Sequence, residues 1–206
     1  MFQSYESHAS SAESAARLAT LRAALTGAGA AAFIIPRRDT HNGETVAPAD
    51  ERLAWLTGFS GSAGTAAVTA TEAALFVDGR YTLQAAREAD NAVVEVLSTP
   101  ANKPETWLGE RLGEGEAFAY DPWLHPPAEV ERLTKAIGRP AIAMMPSPID
   151  SAWTDRPPRP AGAVIVHPAA QAGEPAGDKR ARIAETLVEG GAAATVLTLP
   201  DSIAWL

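Results

Sequence analysis

Leu18, Leu21 and Leu25 recur at i, i+3 and i+7 in a stretch of small and polar residues, the spacing that lines up side chains on one face of a helix. Ser10 and Glu13 precede this stripe with capping-box spacing, so the helix is expected to start there, after a polar N-terminal tail. Gly27 and Gly29 can supply the left-handed backbone that ends it. The apolar run at 30–35, stopped by Pro36, then predicts a buried strand. Residues 37–50 carry Asn42-Gly43 and Pro48, which favour turns, and predict a surface loop.

A short helix is expected over 51–56, followed by Gly58, Gly61 and Gly64 as a tight connection into a strand at 65–69. Thr71-Glu72 turns the chain into a second strand at 73–77, which ends at Asp78-Gly79-Arg80-Tyr81. Beyond it the pattern predicts a helix at 82–90, a strand at 93–97, a helix from Pro104 to about Leu112 and a short strand at 117–120. Pro126-Pro127 open a helix that ends near Gly138, and residues 141–145 form the last strand of the series. Alternating helices and strands with one hairpin predict an α/β fold on a mixed sheet. The stiff run Arg156-Pro157-Pro158-Arg159-Pro160 is the expected linker. A helix at 178–189 and a strand at 192–199 then repeat the opening of the first domain. Too few residues follow the linker to bury a core of their own, so the natural protein is expected to continue past Leu206.

Composition narrows the function classes. With 46% apolar and 20% charged residues among 206, the chain has the make-up of an ordinary globular protein. Its formal charge of -8 and its lack of a Lys/Arg cluster disfavour nucleic acid as a partner. The absence of cysteine removes disulfides, thiolate metal sites and cysteine nucleophiles. MFQSYESHAS lacks the basic and apolar regions of a signal peptide, and no apolar run nears the roughly 20 residues needed to span a bilayer, so the expected address is the cytoplasm.

Catalytic chemistry is sparse. His8, His41, His125 and His167 are scattered through predicted tail and loops, and none forms a helical ligand pair. Gly58-Phe59-Ser60-Gly61-Ser62 resembles a nucleophile elbow but has Ser62 in place of the second glycine. The glycines at 58, 61 and 64 also lack the pattern of a phosphate cradle and read as backbone turns. Trp55, Trp107, Trp123, Trp153 and Trp205 read as core or interface anchors.

Several motifs together carry a resemblance. Ala47-Pro48-Ala49-Asp50-Glu51-Arg52-Leu53, continuing through Thr57-Gly58-Phe59-Ser60-Gly61-Ser62-Ala63-Gly64-Thr65, resembles the first domain of the three-domain, cytosolic Xaa-Pro aminopeptidases. Asp78-Gly79-Arg80-Tyr81 with Leu83-Gln84-Ala85-Ala86, Trp153-Thr154-Asp155-Arg156-Pro157 with Arg159-Pro160, and Asp201-Ser202-Ile203-Ala204-Trp205-Leu206 match in the same order.

The resemblance implies a creatinase-like N-terminal domain over residues 1–160, with a mixed β-sheet flanked by helices. Residues 161–206 would begin a second, similar domain, and a pita-bread catalytic domain would lie outside this chain. It further implies metal-dependent release of an N-terminal residue preceding proline. Two divalent ions, usually manganese, would be held by aspartates, glutamates and a histidine of the catalytic domain, with no metal ligand, catalytic residue or cofactor in this chain. Arg80 matches the family arginine that reaches toward the substrate, a role suited to a planar guanidinium; the alternative is a local salt bridge to Asp78 or Glu88. Peptides with proline in second position are the implied partners, and a homodimer the implied assembly. Two other readings are a stand-alone creatinase-like binding module and a pita-bread enzyme with one N-terminal domain, such as prolidase.

Overall fold

The computed structural model describes residues 10–206; His8 lies outside them. The chain divides into a larger unit, formed by the residues up to Thr40 with Glu44–Arg159, and a smaller one, His41–Gly43 with Pro160–Leu206.

In the larger unit the first helix, α1, spans Ser14–Gly27 and buries Leu18, Leu21 and Leu25, each worth about 2 kcal/mol in apolar surface removed from water. The expected capping box does not form. Glu13 occupies the N-cap without a side-chain cap bond, and its carboxylate is drawn away by Arg17 at 2.6 Å. The C-terminus closes with the paired bonds Gly29 N–H to Thr26 O and Ala30 N–H to Leu25 O, with Gly29 at φ +68. Strand β1 (Ala32–Pro36) follows, then α2 (Arg52–Thr57), the hairpin β2 (Thr65–Thr69) and β3 (Ala73–Val77), α3 (Thr82–Glu88) and β4 (Glu95–Ser98). The series ends with α4 (Pro104–Arg111), β5 (Phe118–Tyr120), α5 (Pro127–Ile137), β6 (Ala141–Ala143) and α6 (Pro148–Ala152).

The sheet is mixed, in the order β4-β3-β2-β1-β5-β6. Strand β2 runs antiparallel to both β1 and β3, while β1–β5, β3–β4 and β5–β6 are parallel. Both faces are covered, which is why the central strands read as continuous apolar runs instead of alternating. Phe33, Ile35, Val68, Leu75 and Val77 point to the face packed by α1, α2, α3 and α6. Ile34, Ala67, Phe76 and Phe118 point to the other, against Trp107 and Leu108 of α4 and Leu133 and Ile137 of α5. The fold is thus the α/β sandwich on a mixed sheet that the pattern predicts.

The smaller unit contains α7 (Ala169–Ala172), α8 (Ala176–Glu189) and α9 (Pro200–Trp205). Lys179 of α8 donates to Trp205 O at 2.9 Å and sits 4.4 Å from the indole centre. The strand expected at 192–199 is absent. These residues are irregular, with Val196 exposed, because a strand needs a neighbour for its backbone groups and the unit has no other strand among the described residues.

Candidate functional site

Register brings three connections to one end of the sheet. Pro36 at the end of β1 pairs with Thr65 at the start of β2, and Thr65 pairs with Phe76 near the end of β3. Arg37, the glycine-rich segment before β2 and the turn Asp78-Gly79-Arg80-Tyr81 therefore gather at that end.

Arg80 projects from this turn with 69% of its side chain exposed. Asp78 holds it along one edge: Nη2 donates to Oδ2 at 2.7 Å and Nε to Oδ1 at 3.0 Å, while the Arg80 backbone N–H donates to the same Oδ1 at 2.9 Å. These bonds hold the Asp78 carboxyl below its usual pKa and raise that of Arg80. Its guanidinium carbon lies 5.1 Å from the Tyr81 ring centre. Nη1 makes no hydrogen bond among the described residues, so one corner of the fork remains open. Of the two local carboxylates weighed for Arg80, Asp78 takes it. Glu88 is instead engaged by Ser60 N–H at 2.8 Å, by Ser60 Oγ and by Gln84.

The glycine-rich segment is a spacer for aromatic packing. A side chain on Gly61 would place its Cβ 2.1 Å from Phe59 Cζ and 2.9 Å from Tyr81 Cδ1. Those two rings meet edge to face at 5.8 Å. Gly58 caps α2 at φ +80. Ser60 follows a helix and leads toward a strand, the reverse of the strand-to-helix turn of a nucleophile elbow, and its hydroxyl is bound to Glu88 and Gln84. The Ser62 hydroxyl bonds the Tyr81 hydroxyl, and Ser62 O accepts from Arg37 Nη1 at 3.2 Å.

A second cluster was not anticipated. Arg52, only 3% exposed, donates Nε and Nη2 to Asp150 at 2.6 and 3.0 Å and Nη1 to Asp50 at 3.0 Å. Arg156 completes the square with Asp50 at 3.1 Å and Asp150 at 2.9 Å. Burial alone would raise the Asp150 carboxyl, but the bonds and charges of Arg52 and Arg156 outweigh it and leave it below its ordinary value. Burial likewise opposes the charge on Arg52, and its two aspartates more than compensate, raising its pKa. Trp55 and Trp153 stack beside the square at 5.7 Å. The ligands come from Asp50-Glu51-Arg52 and from the segment around Trp153 and Arg156, two motifs that already stood out in the sequence. Their opposite charges were the available signal.

The histidines do not converge. His125 is 4% exposed, with Nδ1 at 3.0 Å from Asp121 O and Tyr120 against its ring, while His41 and His167 fall in the smaller unit. Among the described residues no group of three or more His, Cys, Asp or Glu could hold a metal ion; the resemblance places the two-ion centre in a catalytic domain outside this chain. No helix of the described residues is long and apolar enough to cross a membrane. Of the tryptophans, Trp107 and Trp153 are buried and Trp123 is exposed.

The model of the creatinase/prolidase N-terminal domain matches residues 17–151, and a second model with the same description matches residues 155–206. A probable Xaa-Pro aminopeptidase P of Coccidioides posadasii is 35% identical over 196 residues, covering 92% of this chain and 32% of that protein. Among solved structures, the X-prolyl aminopeptidase of Caenorhabditis elegans, described as a cytosolic enzyme with a di-nuclear active site, aligns with a TM-score of 0.83 and 30% identity over 93% of this chain and 34% of that one. The N-terminal domain of the cytoplasmic peptidase PepQ of Mycobacterium tuberculosis aligns with a TM-score of 0.51 and 26% identity over 66% of this chain and 97% of that one. The chain spans about a third of the length of the Xaa-Pro aminopeptidases it matches. From its motifs, its mixed sheet and these matches, the chain belongs to the creatinase/prolidase N-terminal domain family.

Proposed function

We propose that this chain is the N-terminal, non-catalytic portion of a cytoplasmic Xaa-Pro aminopeptidase that releases the residue preceding proline from peptides. Residues 1–160 form its first creatinase-like domain and residues 161–206 begin a second. Both gate the active site against long or folded substrates and support assembly into a homodimer. The chemistry belongs to a catalytic domain outside these residues, whose two divalent ions, manganese in this reading, are held by that domain's own side chains. Arg80 contacts the substrate: its open Nη1 corner suits a peptide carbonyl or carboxylate, and Asp78 orients the fork without neutralising that corner. The reading rests on the similarity to the C. elegans enzyme, which extends over 93% of this chain, smaller unit included.

One assay tests it: hydrolysis of an Xaa-Pro peptide, with and without manganese, by the 206-residue chain, by the protein extended to the end of its gene, and by the extended Arg80→Ala variant. The extended protein cleaves, the chain alone does not, and the variant shows a KM raised about tenfold, the worth of one charge-assisted hydrogen bond. Comparable hydrolysis by the chain alone would place catalytic residues within it and overturn the reading. Unchanged KM and kcat in the variant would remove Arg80 from the substrate site.

A further inference from the structure

We infer that Tyr81 is a positioning residue for Arg80, and that a relay running from Glu51 through Arg37 and Ser62 holds Tyr81 in place. The inference deepens the proposed substrate role of Arg80 and rests on that reading.

An exposed arginine has many rotamers, and ordering them on binding opposes affinity. A guanidinium fixed before the substrate arrives avoids that loss. Asp78 fixes one edge of Arg80, but a two-point contact along one edge still allows the group to swing about that edge. The Tyr81 ring, 5.1 Å from the guanidinium carbon, supplies the missing surface by cation–π attraction. Tyr81 is itself held at three points. Its backbone N–H donates to Asp78 O at 3.0 Å, closing the turn. Its ring packs edge to face with Phe59, a residue 1% exposed. Its hydroxyl bonds the Ser62 hydroxyl.

Ser62 is anchored in turn, because its carbonyl accepts from Arg37 Nη1 at 3.2 Å while Arg37 Nη2 binds Glu51 at 2.6 Å. Gly61 belongs to the same device, since only a residue without a side chain leaves the ring its place. The relay thus connects the start of α2 to the tip of the turn after β3 through an ion pair and two hydrogen bonds. A purely structural contact would need the Phe59–Tyr81 packing but not the hydroxyl pair at the exposed side of the ring.

The test uses the extended enzyme. Tyr81→Leu removes the platform, Tyr81→Phe and Ser62→Ala remove only the hydroxyl bond, and each is made alone and in the Arg80→Ala background. Tyr81→Leu is expected to raise KM for an Xaa-Pro peptide about two- to fivefold, the range of an exposed cation–π contact, with kcat unchanged. The two milder variants raise it less and keep the inference testable if the leucine variant does not fold. In the Arg80→Ala background none of the three changes KM further. Labelling of Arg80 by phenylglyoxal, followed by mass spectrometry, gives a readout independent of activity and should quicken by a similar factor in Tyr81→Leu. An equal KM rise with and without Arg80, or unchanged labelling, overturns the inference. If Arg80→Ala alone leaves KM unchanged while labelling still quickens, Tyr81 does position Arg80 and the substrate role is what fails.

Discussion

Gly61 has an ordinary backbone, so its lack of a side chain is a matter of space. Its missing Cβ would collide with the Phe59 and Tyr81 rings, and Phe59 is fixed in the core and cannot swing aside. Gly61→Ala is therefore expected to cost about 1 to 3 kcal/mol, as overpacking does. Urea unfolding of the variant beside wild type measures it, and an unchanged midpoint would contradict the packing argument. The sequence marked Gly61 as a turn glycine and stopped there, since one of the two rings it accommodates, Tyr81, lies twenty positions on by chain and is brought back by the β2–β3 hairpin to meet that of Phe59. Arg80 was legible as a residue at a strand's end, whereas its choice of Asp78 over Glu88 depended on where Ser60 and Gln84 hold Glu88.

At the scale of elements, the Arg52–Arg156 square joins the start of α2 to α6 and the segment that follows it. Each aspartate has two guanidinium partners, so removing Arg52 leaves carboxylates still served by Arg156. Arg52→Met is expected to destabilise the larger unit by about 2 kcal/mol, below the usual cost of breaking a buried pair because Asp50 and Asp150 are partly exposed. Arg52→Lys, which keeps the charge and loses the fork, should fall between. Denaturant midpoints for the three proteins decide this, and a methionine variant as stable as wild type would demote the square to surface decoration. Helix α6 itself escaped sequence reading, because five residues framed by Pro148 and Trp153 are too few to show helical periodicity. The strand expected at 192–199 failed for the opposite reason: its Thr195-Val196-Leu197-Thr198 stretch suits a strand, but propensity without a pairing partner does not make a sheet. By contrast β2 and β3 were readable to the residue, since glycine and turn signals bound both runs.

Across the larger unit, one buried and one partly buried titratable group bend stability with pH in the same direction. Burial lowers the pKa of His125, with Glu129 and Asp121 pulling upward and Arg38 adding to the lowering. Its neutral form is favoured in the fold, so the unfolded chain binds protons more readily. Stability is full above the unfolded pKa of about 6.5 and declines as pH falls through it toward the lower folded value. Asp150, also depressed, contributes above the unfolded carboxylate pKa and loses that contribution only in stronger acid. Unfolding free energy measured between pH 8 and 5 should therefore fall in wild type and stay flatter in His125→Gln; parallel curves would show that His125 does not carry the effect. The fold class was legible because alternation of elements and the two-sided burial of the strands are written locally. The pairing of β1 with β5 was not, since Ala32 meets Phe118 across a long stretch of chain.

The strand order also decides what the sheet leaves uncovered. Its outermost strands are β4 and β6. Strand β6 is three residues long with Pro146 soon after it, and β4 presents exposed Glu95 and Ser98 and is followed by Pro100. A short strand, a charge and nearby prolines are features that deny a template to a second backbone. The unit is thereby guarded against edge-to-edge aggregation, which favours side chains on its helices and loops over strand addition as the route of any self-association.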